Sequence, residues 1–355
     1  MFEVRNEESK AKMSADLSRI DITELAELLE DRKNNEQKIA LILGSRTGAL
    51  FRSQSFAEEM IHYSTSTSSF VGMNERERFN ECYSLLQVAK KQIDRKDLEI
   101  FLNQKMRKID FSVADDCLAE LVEQKNFRVI LSSNVDDLLY NAFAALGLKE
   151  NHDFVNFDLG RLPVADTVNE ILFHEKISAC KMINFYADVD AFVHSLDKQQ
   201  MQEEISQCVK NLLERMRIKE VLLIGIDLVW DSMVLFALPP RIKTVWFVNE
   251  DEHVKDEFHS MYERIEQFRF ITGSQGGYEK FLKALHWQIN SGIPPRRDEL
   301  TSRLLHHINV MQHDLTSLKD GIKSIHDEIM HLQQQMIKLS YRVEDANKRE
   351  KGERE

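Results

Sequence analysis

The segment from Arg128 to Gly147, RVILSSNVDDLLYNAFAALG, constrains the fold more than any other part of the sequence. It begins with the apolar run Val129 to Leu131, which does not alternate with polar residues. Such a run is expected of a strand that is covered on both faces. A polar turn and then a helical segment follow directly, and this succession is typical of an α/β fold.

Four polar residues crowd the carboxyl end of this predicted strand: Ser132, Ser133, Asn134 and Asp136. In open α/β sheets, ligands bind in the crevice outside the carboxyl ends of the strands. These side chains are therefore candidates for a site. A helix cap is the alternative, because Ser and Asn also cap helix amino termini, and the spacing alone does not decide between the two.

Length and composition fit an enzyme-sized intracellular chain. The 355 residues suffice for one large α/β domain with an appendage. The polar amino terminus is unlike a signal peptide, and no run of about eighteen apolar residues occurs, so we expect a soluble, cytosolic protein. The net charge of -12, without a basic block in the α/β part, argues against direct binding of nucleic acid.

The cysteines are scattered and form no CxxC pair: Cys82, Cys117, Cys180 and Cys208. This spacing argues against a zinc ribbon and against a disulfide framework.

The run SSNVDDLLYNAFAALG resembles the strand-to-helix segment of the SIR2-like (sirtuin-fold) family. Further segments, in the order of that family, are similar to its other landmarks: KIALILGSRTGALF, NEILFHEKISACKMINFYADVDAF, EVLLIGIDLVWDSMVLFAL, TVWFVNEDE and FRFITGSQGGYEKFLKALHWQI. Together they span roughly 38–288. The resemblance implies a Rossmann-like, mostly parallel sheet with helices on both faces.

The resemblance also implies a reaction. Sirtuin deacetylases carry two CxxC pairs that this chain lacks, and the zinc-less form resembles SIR2-like NAD hydrolases, notably effectors of antiphage defence. The implied activity is cleavage of the bond between nicotinamide and ribose, with NAD as substrate and without zinc. An oxocarbenium-like transition state requires the protein to hold the ribose, support positive charge and deliver water.

By this resemblance, Asn134 would lie near the nicotinamide ribose and the attacking water. His174 would meet the ribose hydroxyls and act as a base, which suits a side chain whose ordinary pKa is near neutrality. The alternative for His174 is a hydrogen-bonded residue at the end of a strand, after the apolar run 171–173. Asp136 would either order the site or favour the helix amino terminus electrostatically.

The phosphate-binding turn departs from the family. It reads Gly44-Ser45-Arg46-Thr47-Gly48, and Arg46 replaces the second glycine of the family. Backbone amides at such a turn normally hold the pyrophosphate. Arg46 would either pair with a phosphate through its guanidinium or close the pocket.

Other departures leave a second function open. Glu175 follows His174 where the family has glycine, and serines replace threonines at 132 and 133. A catalytically degenerate, SIR2-like nucleotide-binding scaffold is therefore the alternative to an NAD hydrolase.

The resemblance assigns further contacts with the cofactor. It places Gly225 beside the cofactor and Asn249 at the adenosine ribose, although a glycine also suits an ordinary strand-to-helix turn. Asp227 and Asp231 follow in the sequence, and either is equally explained as a helix cap. Tyr278 would lie near the adenine or serve as a packing anchor.

Three regions follow from the sequence. Residues 1–36 are predicted to form a helical segment whose apolar face is Ile22, Leu25, Leu28 and Leu29. Residues 37–293 are expected to form the domain that resembles the SIR2-like family, with a helical insertion around 56–125 that contains an irregular loop at 63–70. Residues 300–347 are expected to form a coiled coil after a proline-containing break.

The coiled coil is predicted from an unbroken heptad pattern. One set of positions is Ile308, Leu315, Ile322, Ile329, Met336 and Val343, and the other is Met311, Leu318, Ile325, Leu332, Leu339 and Ala346. β-Branched residues dominate the first set and leucine the second, which favours a parallel two-stranded coil. We expect a homo-oligomer whose assembly controls activity. A helix folded back on the α/β core, or a coil that recruits a sensor or activating protein, is the alternative.

Overall fold

The computed structural model describes residues 21–35, 37–48, 50, 59–60, 73, 75–159, 164–173, 179–186, 188–195, 199–228, 230–252, 258, 265–296 and single positions between 304 and 333. The chain divides into two compact units, Met1–Arg303 and Leu304–Glu355.

The first unit is built on a parallel sheet. In the part that the structure describes, seven strands follow in chain order: β1 (Ile39–Leu43), β2 (Val129–Ser132), β3 (Phe154–Asp158), β4 (Cys180–Asn184), β5 (Glu220–Ile224), β6 (Thr244–Asn249) and β7 (Gln267–Thr272). Their order across the sheet is β3-β4-β2-β1-β5-β6-β7, and every neighbouring pair is parallel. The predicted Rossmann-like α/β fold is confirmed.

Helices precede, connect and follow these strands. They are α1 (21–34), α2 (Glu75–Gln92), α3 (Arg95–Met106), α4 (Val113–Glu123), α5 (Leu138–Leu146), α6 (Val164–Phe173), α7 (Val189–Ser195), α8 (Gln199–Arg215), α9 (Ser232–Phe236) and α10 (Tyr278–Ile289). Short 3-10 turns lie at Ser45–Thr47 and Gly273–Gln275.

The sheet is covered on both faces. All five residues of β1 are buried, although successive side chains of a strand point to opposite faces. Ala40 and Ile42 join a core cluster with Leu85 of α2 and Leu212 of α8. This double burial explains why the strand sequences are continuous apolar runs.

The amino-terminal helix packs on the same unit. Ile22, Leu25 and Leu29 are buried and Leu28 is half-buried. Arg32 donates two hydrogen bonds to the Glu220 carboxylate at the start of β5, at 2.7 and 3.1 Å. Helix α1 is therefore attached to the amino edge of the sheet.

Helices α2, α3 and α4 lie between β1 and β2, within the segment predicted as a helical insertion. Leu86, Leu98 and Leu102 from this segment belong to the core cluster, so the helices α2 and α3 are part of the domain core. The predicted loop at 63–70 lies outside the described residues.

The second unit is helical at every position that the structure describes between 304 and 333. Several predicted seam residues lie outside the described positions: Ile325, Leu332, Met336, Leu339, Val343 and Ala346.

All four cysteines are buried and unbridged. Burial raises the pKa of the Cys117 and Cys180 thiols to about 12 and that of Cys208 to about 11. In the described helices, we find none that is both long enough and apolar enough to span a bilayer.

Candidate functional site

The strand order places a topological switch point between β1 and β5. From β1 the chain continues to β2, β3 and β4 on one side of the sheet, and β5, β6 and β7 lie on the other side. The crevice at the carboxyl ends of such a pair is where α/β proteins bind ligands. The loops after β1, β2, β5 and β6 meet there.

The glycine turn after β1 packs tightly on the loop after β5. The Gly44 amide donates to the Ile224 carbonyl at 2.8 Å, and the Arg46 amide donates to the Gly225 carbonyl at 3.0 Å. A Cβ atom on Gly44 would lie only 2.4 Å from that Gly225 oxygen. Glycine at position 44 is thus required by the close approach of the two loops.

Glycine is also required at position 225, where the Thr47 side chain packs against the backbone. Its φ is +62°, a left-handed conformation that L side chains rarely adopt, and a Cβ atom would lie 2.5 Å from Thr47 Cγ2. The Thr47 side chain therefore rests directly on Gly225.

Asp231 joins three of these loops. Its carboxylate accepts hydrogen bonds from the Ser45 amide at 3.0 Å and the Ser45 hydroxyl at 2.8 Å. It also accepts from the Ser133 hydroxyl and the Asp227 amide, both at 2.9 Å. The Ser45 amide, which a phosphate at the glycine turn would need, is therefore bonded to the carboxylate of the protein itself.

The environment of Asp231 changes its acidity. The side chain is buried, and burial raises its pKa to about 6 although the hydrogen bonds from Asp227 and Ser45 oppose this shift. Asp231 stands at the N-cap position of α9, but its side chain makes no capping hydrogen bond to that helix and bonds the neighbouring loops instead. In the sequence, the only hint of this role was that Asp231 lies within the largely apolar segment 221–238.

Asn134 is held by the glycine turn. Its side-chain amide donates to Thr47 Oγ1 at 2.7 Å, and its backbone amide donates to Ser132 Oγ at 3.2 Å. The Asn134 Oδ1 atom is buried without a hydrogen-bond partner. It lies so near Gly48 that a Cβ atom there would be 2.7 Å away. A buried, unsatisfied acceptor is costly, and a catalytic role is one explanation for such an atom.

A small polar crevice contains Asn134 and Asp136, two of the predicted site residues. Its volume is about 40 Å³. Its polar lining also includes Thr47, Asp115, Ser132, Asn156, Asn184 and Tyr278. The Asn184 amide donates to Asn156 Oδ1 and Asp158 Oδ1, each at 3.0 Å. This volume has room for a few water molecules and not for a nicotinamide ring.

A larger cavity lies on the other side of Thr47. Its volume is about 270 Å³, and it brings together the predicted cofactor residues Arg46, Gly225 and Asn249. The Arg46 guanidinium donates to Asn249 Oδ1 at 3.1 Å, and the Asn249 amide donates to the Ile226 carbonyl at 2.9 Å. Arg46 is thus part of the cavity wall.

The amino terminus of α10 completes this cavity. Gly276, Gly277 and Lys280 line it, although the sequence analysis did not select them. A Cβ atom on Gly276 would lie 2.0 Å from the Asn249 carbonyl oxygen, so this glycine lets the loop reach β6. In the sequence, these residues could have been found from the glycine pair Gly276-Gly277 directly before a helical segment.

Tyr278 and Thr47 separate the two cavities. Tyr278 lines both of them, and its hydroxyl donates to Asp115 Oδ1 at 2.7 Å. Thr47 bonds Asn134 on one side and touches Gly225 on the other. Of the predicted site residues, Asn134 and Asp136 therefore line the small crevice, and Arg46, Gly225 and Asn249 line the larger cavity.

His174 lies outside the described residues. The apolar run 171–173, interpreted above as a possible strand end, instead forms the last turn of α6. Because α6 connects the parallel strands β3 and β4, it runs back from the carboxyl edge to the amino edge of the sheet. Phe173, the last residue of α6, therefore lies toward the edge of the sheet opposite Asn134.

The residues that follow β4 at the carboxyl edge are Phe185 and Tyr186, and both are buried. Burial raises the pKa of the Tyr186 hydroxyl, so it is neutral at physiological pH and does not provide a base. No histidine lines either cavity among the residues that the structure describes.

The sequence matches no protein-family model, and a search among curated proteins also found no match. Within the described ranges, no cluster of three or more His, Cys, Asp or Glu side chains is placed to hold a metal ion.

Proposed function

We propose that the first unit is a SIR2-like nucleotide-binding module that takes the adenosine half of NAD in the larger cavity. The observation that carries this proposal is the convergence of Arg46, Gly225 and Asn249 on one cavity of about 270 Å³ beside the switch point. Ligand pockets of proteins usually range from about 300 to 1,000 Å³, so this one suits part of a dinucleotide.

The chemistry of the cavity wall supports a phosphorylated ligand. Arg46 carries a permanent positive charge and a planar set of donors that matches a phosphate. The amino terminus of α10, a helix of 12 residues, and the nearby Lys280 favour negative charge in the same space, whereas the carboxylates of Glu250 and Glu279 oppose it. A pyrophosphate would exchange the Arg46 bond to Asn249 for a charge-assisted one.

Asn249 and Glu250 suit the sugar. Both line the cavity, and amide and carboxylate groups are the usual partners of ribose hydroxyls. Ribose binding would use the Asn249 oxygen that Arg46 releases.

Hydrolysis of NAD to nicotinamide and ADP-ribose, in an antiphage-defence effector, is the second candidate function. It is supported by the buried Asn134 Oδ1 atom without a partner, next to the crevice that holds Asp136. For this reaction Asn134 must leave Thr47, since the crevice has room only for water. Three features favour binding without catalysis: the Asp231 carboxylate at the glycine turn, the volume of the crevice, and a tyrosine after β4.

The test is a calorimetric titration of the purified chain with NAD, together with an assay of nicotinamide release. Replacing Asn249 or Arg46 by alanine should weaken binding by roughly 10-fold or more, because each change removes at least one hydrogen bond to the ligand. Lys243→Ala is the control, since Lys243 pairs with Glu266 on the surface at the start of β6.

Each result has a separate meaning. Binding without release supports the module, whereas release that Asn134→Ala abolishes supports the hydrolase. Absence of binding at millimolar NAD, or binding that both cavity variants leave unchanged, contradicts the proposed site.

A further inference from the structure

The second unit carries an exposed apolar stripe. Its described members are Leu304, Ile308, Met311, Leu315, Leu318, Ile322 and Ile329, which are 44% to 66% exposed. They recur at steps of four and three residues from 304 to 322, Ile329 follows seven residues later, and they therefore lie on one face of a helix. A continuous apolar face of this length on a soluble helix marks an interaction surface.

We propose that this stripe pairs with the same stripe of a second copy of the chain, as a parallel, in-register, two-stranded coil. This inference is independent of the nucleotide-binding proposal. The first argument is the type of residue at each position. Ile308, Ile322 and Ile329 occupy the first apolar position of their heptads and Leu318 the second, and this distribution favours parallel dimers over trimers and tetramers.

The second argument is charge complementarity. In a parallel in-register pair, the residue before each first apolar position faces a residue five positions later on the other helix. By sequence spacing, Asp314 faces Lys319 of the second copy, and the symmetry of the pair forms this contact twice. Lys319 is exposed, while Asp314 lies outside the described positions.

The remaining facing pairs contain no like charges. They are His307 with Gln312, Gly321 with His326, Glu328 with Gln333, Gln335 with Ser340, and Arg342 with Asn347. The in-register parallel arrangement therefore has one attractive type of contact and no repulsive one.

The third argument is length. The heptad pattern of the sequence continues from Ile308 to Ala346, a stretch that would span roughly 60 Å as a continuous helix at about 1.5 Å per residue. Sustained heptads over about three to four repeats already indicate a coiled coil, and this chain has six apolar pairs. The seam is therefore long enough to associate on its own.

The first test measures the mass of the full-length chain by sedimentation equilibrium over a range of concentrations. We expect twice the 41.5 kDa of one chain. Ile322→Glu should raise the dissociation constant by roughly 100-fold or more, since two carboxylates would enter the apolar seam of each dimer. Lys323→Glu, at the adjacent exposed position off the seam, should leave it unchanged. A monomer at all concentrations, or an assembly of three or more chains, overturns the proposal.

The second test determines orientation. Met311→Cys should form a disulfide with itself under mild oxidation, because identical seam positions near one end of the coil adjoin only in a parallel, in-register pair. Lys323→Cys is the matched control and should not cross-link. The native thiols are buried, so the wild-type chain should not cross-link either. A dimer in which Cys at position 311 fails to cross-link is antiparallel or out of register and contradicts the proposal.

A charge-reversal experiment tests the register at the ion pair. Asp314→Lys and Lys319→Glu chains should each dimerise more weakly alone, and they should associate preferentially with each other when mixed at low salt. Equal amounts of homodimer and heterodimer at the statistical ratio would show that the two residues do not face each other.

Discussion

At the scale of single residues, Asp231 is the group on which the carboxyl edge of the sheet depends. Its carboxylate bonds Ser45, Ser133 and Asp227, which lie in the loops after β1, β2 and β5. A buried carboxylate with an elevated pKa makes the stability of these loops sensitive to pH.

The sign of this dependence follows from the pKa of Asp231, which rises from 3.8 to about 6 on folding. Well below pH 4 both states are protonated, and between about pH 4 and 6 the unfolded chain has lost the proton that the folded protein still holds. Stability from this group is therefore lost as pH rises through this window, by about 3 kcal/mol at most. Urea unfolding should show this loss in the wild type relative to Asp231→Asn. Parallel pH profiles for the two proteins would contradict it.

Gly225 and Gly147 form a matched pair for a second residue-scale prediction. Both have positive φ, but a Cβ atom meets Thr47 at Gly225 and nothing within 4 Å at Gly147. Gly147→Ala should cost about 1 kcal/mol of unfolding free energy from the backbone alone. Gly225→Ala should cost roughly 3 kcal/mol, because the overlap adds to the backbone term. Equal losses in urea denaturation would show that Thr47 moves aside freely.

At the scale of elements, a buried pair fastens α4 to α10. His286 Nε2 lies 2.8 Å from Glu120 Oε2, and the two side chains are 2% and 5% exposed. The other oxygen of Glu120 accepts from the Arg296 amide at 2.6 Å, which adds the segment after α10 to the same contact. One carboxylate therefore joins two helices and the end of the first unit.

Removing one member of this pair should be severe. His286→Ala leaves a buried carboxylate oxygen without its partner, and the expected loss of unfolding free energy is about 3 to 5 kcal/mol. Lys243→Ala breaks an exposed pair with Glu266 and should cost below about 1 kcal/mol. Chemical denaturation of both variants checks the contrast, and a similar small loss in each would contradict the role of the buried pair.

At the scale of the whole molecule, the order of the strands predicts a gradient of stability. Strand β1 is hydrogen-bonded to β2 and β5 on its two sides, whereas β3 and β7 are the outer strands among those described. Amides of β1 and β5 should exchange most slowly with solvent, and those of β7, whose first four residues are exposed or half-buried, should exchange faster. Hydrogen exchange with mass spectrometry measures this, and uniform protection across the sheet would contradict it.

The fold was predictable because burial on both faces leaves a local signature. Strands β1, β2, β5 and β6 are short apolar runs bounded by polar or glycine-containing turns, which the sequence displays directly. The run at 171–173 shows the limit of this signal. Three apolar residues suit a strand or a buried helix, and only the packing of α6 as a connection between β3 and β4 decides.

The candidate site was predictable only in part. Arg46, Gly225 and Asn249 do share a cavity, as strand ends of one sheet edge must. The hydrogen bonds of Asp231 could not be predicted from the sequence, since its partners lie up to 186 positions away and come together only after the sheet forms. The division into two cavities also depends on the Thr47 and Tyr278 side chains, whose positions no local pattern encodes.

The four buried thiols report on the opening of different parts of the domain. Cys82 lies in α2, Cys117 in α4, Cys180 in β4 and Cys208 in α8, so each reports on a different element. An alkylating reagent reacts with thiolate that has reached water; all four thiols are buried, and burial raises the pKa of Cys117, Cys180 and Cys208. The order in which the four are modified under native conditions therefore records the order in which the layers of the domain open.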